Sequence, residues 1–151
     1  MSALAIALLV VVAFVWGQWM MLRPSARDLN LMALRTEGRR LGFHVRLLPP
    51  PEWYHGPRLS GGLLACYSLL NGDDDKDLPY FRALRGDDGR WELHYGTPAF
   101  WERVTLPEEA AQLIALEAKG NAVSFWWTEK GTPASLVPLQ ALLQTLLAGL
   151  R

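Results

Sequence analysis

The sequence predicts an α+β protein: an N-terminal transmembrane helix, then one small domain with an antiparallel sheet of about five strands and three helices packed on it. Three observations predict this. A charge-free apolar run occupies residues 3–22, and at a 1.5 Å rise it covers a hydrocarbon layer of about 30 Å. Short runs bounded by Gly, Pro, Asn and Asp recur between residues 43 and 129, several alternating apolar and polar as half-buried strands do. Between and around them, other segments repeat apolar residues at three- and four-residue spacing, the signature of a helix with one buried face.

The 151 residues divide into an anchor at 1–22, a basic juxtamembrane helix at 23–42 and a globular α+β domain at 43–151. Half of the residues are apolar, a fifth are charged and seven are Trp, a composition that builds a packed core rather than a disordered chain. The formal net charge is zero, yet residues 23–46 carry six Arg against Asp28 and Glu37. Basic charge is therefore concentrated beside the apolar run.

That run, ALAIALLVVVAFVWGQWMML, holds Gln18 as its one strongly polar side chain. Trp16 and Trp19 lie near its end, where indole rings favour the headgroup interface, and Arg23 follows. A cleaved signal peptide is disfavoured, since no Lys or Arg precedes the run and its end, Trp-Gly-Gln-Trp-Met-Met-Leu-Arg, lacks a small-residue cleavage site. A buried core helix of this length would carry a polar face, and this one has none. Arg23, Arg27, Arg35, Arg39, Arg40 and Arg46 follow the run and none precedes it. The positive-inside rule then predicts an outside N-terminus and a cytoplasmic C-terminal domain at a bacterial inner membrane. Each basic residue near anionic headgroups contributes about 1 kcal/mol of attraction.

The elements follow in order. Ser25 with Asp28 makes a short capping box, opening a helix from about Ala26 to Leu41 that Gly42 closes. Phe43 to Leu47 alternates as a strand, and Pro49-Pro50-Pro51 starts a stiff loop through Trp53, Tyr54, His55, Gly56 and Pro57. Strands at 62–70, 80–84 and 90–95 are predicted as an antiparallel meander, with turns at 71–77 and 87–89. Thr97 to Trp101 is an apolar connection, and Pro107-Glu108-Glu109 predicts a helix through Lys119 closed by Gly120. A strand rich in aromatics at 122–129 and a last helix at 136–150 complete the chain.

Chemistry-bearing patterns are few. Cys66 is the single cysteine, which excludes an internal disulfide, and its apolar neighbours predict a buried, inert thiol. His44, His55 and His94 stand at no metal-ligand spacing. The acidic run Asp73, Asp74, Asp75, Asp77 fails as a calcium loop, because the positions that need Gly and Glu hold Leu78 and Leu84, or Lys76 and Arg82 in the other register. Neither a phosphate-binding Gly loop ending in Lys-Ser/Thr nor a Gly-x-Ser-x-Gly elbow occurs. The domain beyond residue 46 is net acidic and its aromatics do not interleave with basic residues, which argues against nucleic acid. No cofactor, metal or catalytic residue is expected.

Three surfaces are candidate interaction sites. The Arg cluster of the first soluble helix reads as an orientation signal or as a dock for an acidic partner. The loop residues Trp53, Tyr54 and His55 are the second, unless the loop is packed down by its own aromatics. The third is the Leu139, Leu143 and Leu146 stripe of the last helix, for which packing on the domain's own sheet is the default and a partner contact the second reading. The segment Trp19-Met20-Met21-Leu22-Arg23-Pro24 closing a lone membrane helix, with Arg27 and a second helix after it, resembles the small auxiliary subunit of the bacterial Sec preprotein translocase over residues 1–35. Downstream, that family has a Gly- and Val-rich β domain, whereas this chain has aromatic strands and further helices. The expectation is a single-pass accessory or scaffold subunit of a membrane complex, binding the membrane and a protein partner. The alternative is a tethered ligand-binding or enzymatic domain with a pocket near Trp53, Tyr54, His55 and Trp101.

Overall fold

The computed structural model describes residues 2–57, 59–72 and 76–151. The chain forms two compact units, one ending at Asn30 and one beginning at Leu31. In the first, α1 (Ala3–Met21) is apolar on every side and buries none of its residues, and it is long and apolar enough to cross a membrane. The next helix, α2 (Ala26–Arg40), is started by a reciprocal cap. The Asp28 amide donates to the Ser25 hydroxyl and the Ser25 amide to the Asp28 carboxylate, both at 3.1 Å. These bonds satisfy amides that the first helical turn leaves without a partner; the Ser25 hydroxyl, donating to the Asp28 carboxylate at 2.7 Å, and then the Ser25 amide hold that carboxyl below its usual range.

The second unit is built on one antiparallel sheet of six strands: β1 (His44–Leu48), β2 (Leu64–Leu70), β3 (Phe81–Arg85), β4 (Trp91–Tyr95), β5 (Leu113–Lys119) and β6 (Ala122–Trp127). Their order across the sheet is β1-β2-β6-β5-β3-β4. Two expectations are corrected here. The segment predicted as a helix at 107–119 is a short 3-10 turn, Glu108–Gln112, followed by strand β5. Its Glu- and Ala-rich composition favours helix, but Gly120 and Asn121 form a two-residue hairpin link into β6, with Gly120 at φ +61°. In that hairpin Leu116 and Ala118 enter one core and Ala115 the other, so packing on both sheet faces overrides local propensity. The predicted meander is also broken. The β3–β4 hairpin forms, but β2 pairs with β1 and β6, while β3 pairs with β5. Strands buried on both faces, β2 and β5, lie inside the sheet, and the alternating strands β1 and β4 take its edges.

Helices cover one face. Leu34 of α2 and Leu136, Leu139, Leu142, Leu143, Leu146 and Leu147 of α4 (Leu136–Leu150) pack into the core formed by Tyr67, Phe81, Leu116, Val123, Phe125 and Trp127. A short helix, α3 (Pro98–Trp101), adds Phe100 and Trp101 to the same side. Tyr67 lies parallel to Phe125 at 5.3 Å and edge-on to Trp127 at 5.4 Å; such ring pairs add roughly 0.5–1.5 kcal/mol beyond their buried area. The Gln140 amide donates to the Leu41 carbonyl at 2.6 Å, which ties α4 to the end of α2. The segment Pro133–Leu150 is itself long and apolar, but its Leu residues fill this core.

On the opposite face Leu64, Cys66, Ala115 and Trp126 form a second, smaller cluster. The loop after β1 covers it with Trp53, Tyr54 and Leu59. Trp126 and Trp127 thus divide between the two faces, as adjacent strand residues must. The calcium-loop residues Asp73, Asp74 and Asp75 lie outside the described residues.

Candidate binding clefts on the sheet

The loop that carries Trp53, Tyr54 and His55 is held by its own side chains. The Tyr54 amide donates to the Pro51 carbonyl and the Tyr54 hydroxyl to the Pro57 carbonyl, each at 2.9 Å. Gly56 leaves room for the Tyr54 ring, since a Cβ at that position would stand 2.5 Å from the Tyr54 hydroxyl and displace it. Trp53 meets Trp126 edge-on at 5.7 Å, so this end of the loop is fixed to the sheet.

Beside the loop opens a cleft of about 450 Å³. One wall is Trp53, Tyr54, His55 and Pro57; the other is the β3–β4 hairpin, with Leu84, Asp87, Glu92 and His94. The His94 Nε2 stands 3.9 Å from a Glu92 carboxylate oxygen. Burial of the Tyr54 ring pushes its hydroxyl above the usual tyrosine range. Next to Trp53 on the same face, the Arg82 guanidinium lies over the rings of Trp53, Tyr80 and Tyr95 at 5.4–5.5 Å. It also donates to Glu117 at 3.1 Å and to the Tyr80 hydroxyl. Arg82 thereby fills what would be an aromatic cage for a cation.

The sequence groups Trp53, Tyr54 and His55 in one loop but does not reveal the opposite wall of the cleft. Nothing in a sequence links 53–57 to 84–94 until the sheet order is known. Trp101 is corrected: it lies on the helix-covered face against Phe81 and Trp91, at 5.7 and 6.1 Å, and lines no part of this cleft. Of the two readings of the Leu stripe, packing on the domain's own sheet holds and the interaction reading is corrected. Leu139, Leu143 and Leu146 are completely buried against the sheet and present no docking surface.

The Arg cluster separates into distinct roles. Arg35 is engaged by Glu129 and Arg40 by Glu37, each in a two-pronged pair. Their carboxylate partners raise both guanidinium groups above the ordinary arginine value. Arg23 and Arg27 belong to the first unit. Arg39 lines a second open cleft, of about 710 Å³, together with His44, Arg46, Ser68 and Lys119. Cys66 is buried as expected, its thiol pushed up by burial, with the Ser68 hydroxyl 3.6 Å away. Among the described residues, no three His, Cys, Asp or Glu side chains come together as a metal cradle.

No protein-family model, curated protein or solved structure matches the chain.

Proposed function

We propose that this is a single-pass protein of a bacterial inner membrane whose α+β domain works in the cytoplasm as a binding module, an accessory subunit of a membrane complex rather than a catalyst. The N-terminal helix supports the tether, since α1 is apolar on all sides and buries nothing within the chain. The basic flank supports the orientation, because Arg23 and Arg27 follow α1 directly. Tethering a domain this way raises its effective concentration toward membrane partners.

The observation that carries the binding role is the cleft between the loop 51–57 and the β3–β4 hairpin. It is lined by the aromatics Trp53 and Tyr54 together with polar groups of the loop and the hairpin, a composition that suits a recognition surface. With the Leu stripe buried, this is where a partner segment would dock. Co-purification from a neutral detergent tests the reading: the wild-type chain retains a stoichiometric partner, and the double substitution Trp53→Ala, His55→Ala loses it. Topology is tested by Ser2→Cys, which a membrane-impermeant maleimide should label from outside intact cells while buried Cys66 stays silent.

A second reading is favoured by the cleft's size, about 450 Å³, which is that of a small-molecule site. His55, His94, Asp87 and Glu92 then provide the polar contacts. A protein that emerges alone from detergent, and is stabilised by a member of a metabolite panel only when His94 is intact, supports this reading instead.

A further inference from the structure

We propose that the cleft at the β1 end of the sheet is an anion site that takes a phosphate group carried on a small organic body. Four basic side chains from three elements line it: Arg39 in the last turn of α2, His44 and Arg46 at alternate positions of β1, and Lys119 at the end of β5. His44 pairs with Ser68 and Arg46 with Cys66 across the β1–β2 ladder, so both project from the same sheet face as the Ser68 hydroxyl.

Three other arginines of this unit are matched. Arg35 has Glu129, Arg40 has Glu37 and Arg82 has Glu117. Among the described residues, Arg39, Arg46 and Lys119 have no such carboxylate partner. Glu117, two positions from Lys119 on the same strand face, is held by Arg82. Asp77 approaches the Gly120 turn but does not line the cleft. Like charges that line one cleft repel one another, and an anion seated among them offsets that cost.

The shape specifies the ligand further. The volume, about 710 Å³, exceeds what a bare phosphate fills. Leu70 and Ala122 give the cleft an apolar wall for the organic part. Guanidinium forks at Arg39 and Arg46 suit phosphate oxygens, and the Lys119 ammonium adds a point charge. A lipid headgroup and a soluble phosphate ester share this chemistry.

The test uses the full chain in neutral maltoside micelles, titrated calorimetrically with dihexanoyl phosphatidylglycerol, dihexanoyl phosphatidylcholine, glycerol 3-phosphate, pyrophosphate and a polyglutamate peptide. Saturable binding of a phosphate probe, weakened about tenfold or more in Arg46→Ala and in Lys119→Ala, supports the site. Arg90→Ala, on the exposed β3–β4 turn, should leave it unchanged. Preference for the phosphatidylglycerol probe identifies a headgroup, and preference for glycerol 3-phosphate or pyrophosphate a soluble ester. Arg46 and Lys119 are exposed, so unfolding temperatures of the unliganded variants should match the parent. Absence of binding by every phosphate probe, binding that both variants retain, or tighter binding of polyglutamate than of any phosphate overturns the proposal.

Discussion

Arg35 and Glu129, 94 positions apart in the chain, meet in a two-pronged ion pair, with Nε to Oε1 at 2.9 Å and Nη2 to Oε2 at 2.6 Å. Glu129 is nearly buried and also accepts the Tyr67 hydroxyl at 2.8 Å. It sits in the left-handed backbone region, φ +55°, which a residue with a Cβ adopts at a cost. The strain is held because three elements depend on this carboxylate: α2 through Arg35, β2 through Tyr67, and the turn that leaves β6.

Removing one partner leaves the other charge without its match, which costs about 3 kcal/mol in a largely buried pair. Arg35→Ala should therefore lower the unfolding free energy by about that much, whereas Arg40→Ala, whose pair with Glu37 is exposed and screened by water, should cost far less. In a double-mutant cycle with Glu129→Gln, Arg35→Ala should show a coupling of about 1–2 kcal/mol. Chemical denaturation of the full chain in detergent measures both. Equal effects of Arg35→Ala and Arg40→Ala would mean that the buried pair does not hold α2 in place.

Tyr67 gives this network a pH dependence. Burial first, then its bond to the Glu129 carboxylate, raises the Tyr67 hydroxyl well above its ordinary value near 10. A group whose pKa is higher folded than unfolded contributes its full stability below the unfolded value and loses it as pH rises beyond. Stability should accordingly hold level through neutrality and fall above about pH 10. Tyrosinate absorbance should show Tyr67 ionising only together with unfolding. In Tyr67→Phe the alkaline fall should be shallower, even though the variant is less stable at neutral pH; an unchanged slope would assign the fall to other groups.

How much of this was legible in the sequence depends on the range of the interaction. The cap at Ser25 and Asp28, the apolar helix at 3–21, the β3–β4 hairpin and the last helix are set by residues within a few positions of one another, and a local pattern reveals them. Strand β5 was hidden, because Glu108, Ala110, Ala111 and Glu117 favour helix locally and only pairing with β3 and β6 decides otherwise. The Gly120-Asn121 pair was the available signal for a hairpin, and it also fits a helix ending in Gly. Both clefts were invisible for a related reason. Each joins residues that the sheet order brings together, such as His55 with His94, or Arg39 with Lys119.

The leucines of α4 separate a core role from a docking role. Leu143 is completely buried, and Val137 on the same helix is more than half exposed. Leu143→Ala should cost about 2–5 kcal/mol, as truncation of a buried leucine does. Val137→Ala should change stability by less than about 0.5 kcal/mol, as a surface change does. Thermal unfolding distinguishes them. A Leu143→Ala variant of parental stability that had lost a partner would restore the docking stripe.

Cys66 offers a probe of local opening. Its burial and raised thiol predict reaction with a thiol reagent only when the β1–β2 region opens. Labelling of the native protein with Ellman's reagent should be slower than that of the unfolded chain by orders of magnitude, and should accelerate in Trp53→Ala, which removes the ring that packs on Trp126 above the same cluster. Rapid labelling of the native protein would show that the loop does not seal this face.

Gly38 tests how closely α2 approaches the sheet. In an exposed helix interior, replacing Gly by Ala stabilises by about 0.5–1 kcal/mol, because Gly has more backbone freedom to lose. Gly38 is buried, and a Cβ there would stand 2.8 Å from Cε1 of the Tyr67 ring and 3.3 Å from a Val45 methyl. The ring cannot simply move aside, since its hydroxyl is bonded to Glu129 and its faces meet Phe125 and Trp127. The steric term should therefore win, and Gly38→Ala should destabilise by about 1–3 kcal/mol, the usual cost of overpacking. Combining it with Tyr67→Leu separates the two terms. With the ring removed, the same Gly38→Ala change should become neutral or stabilising, as in an exposed helix. A stabilising Gly38→Ala in the parent would mean that α2 stands further from β2 than the ring contact requires.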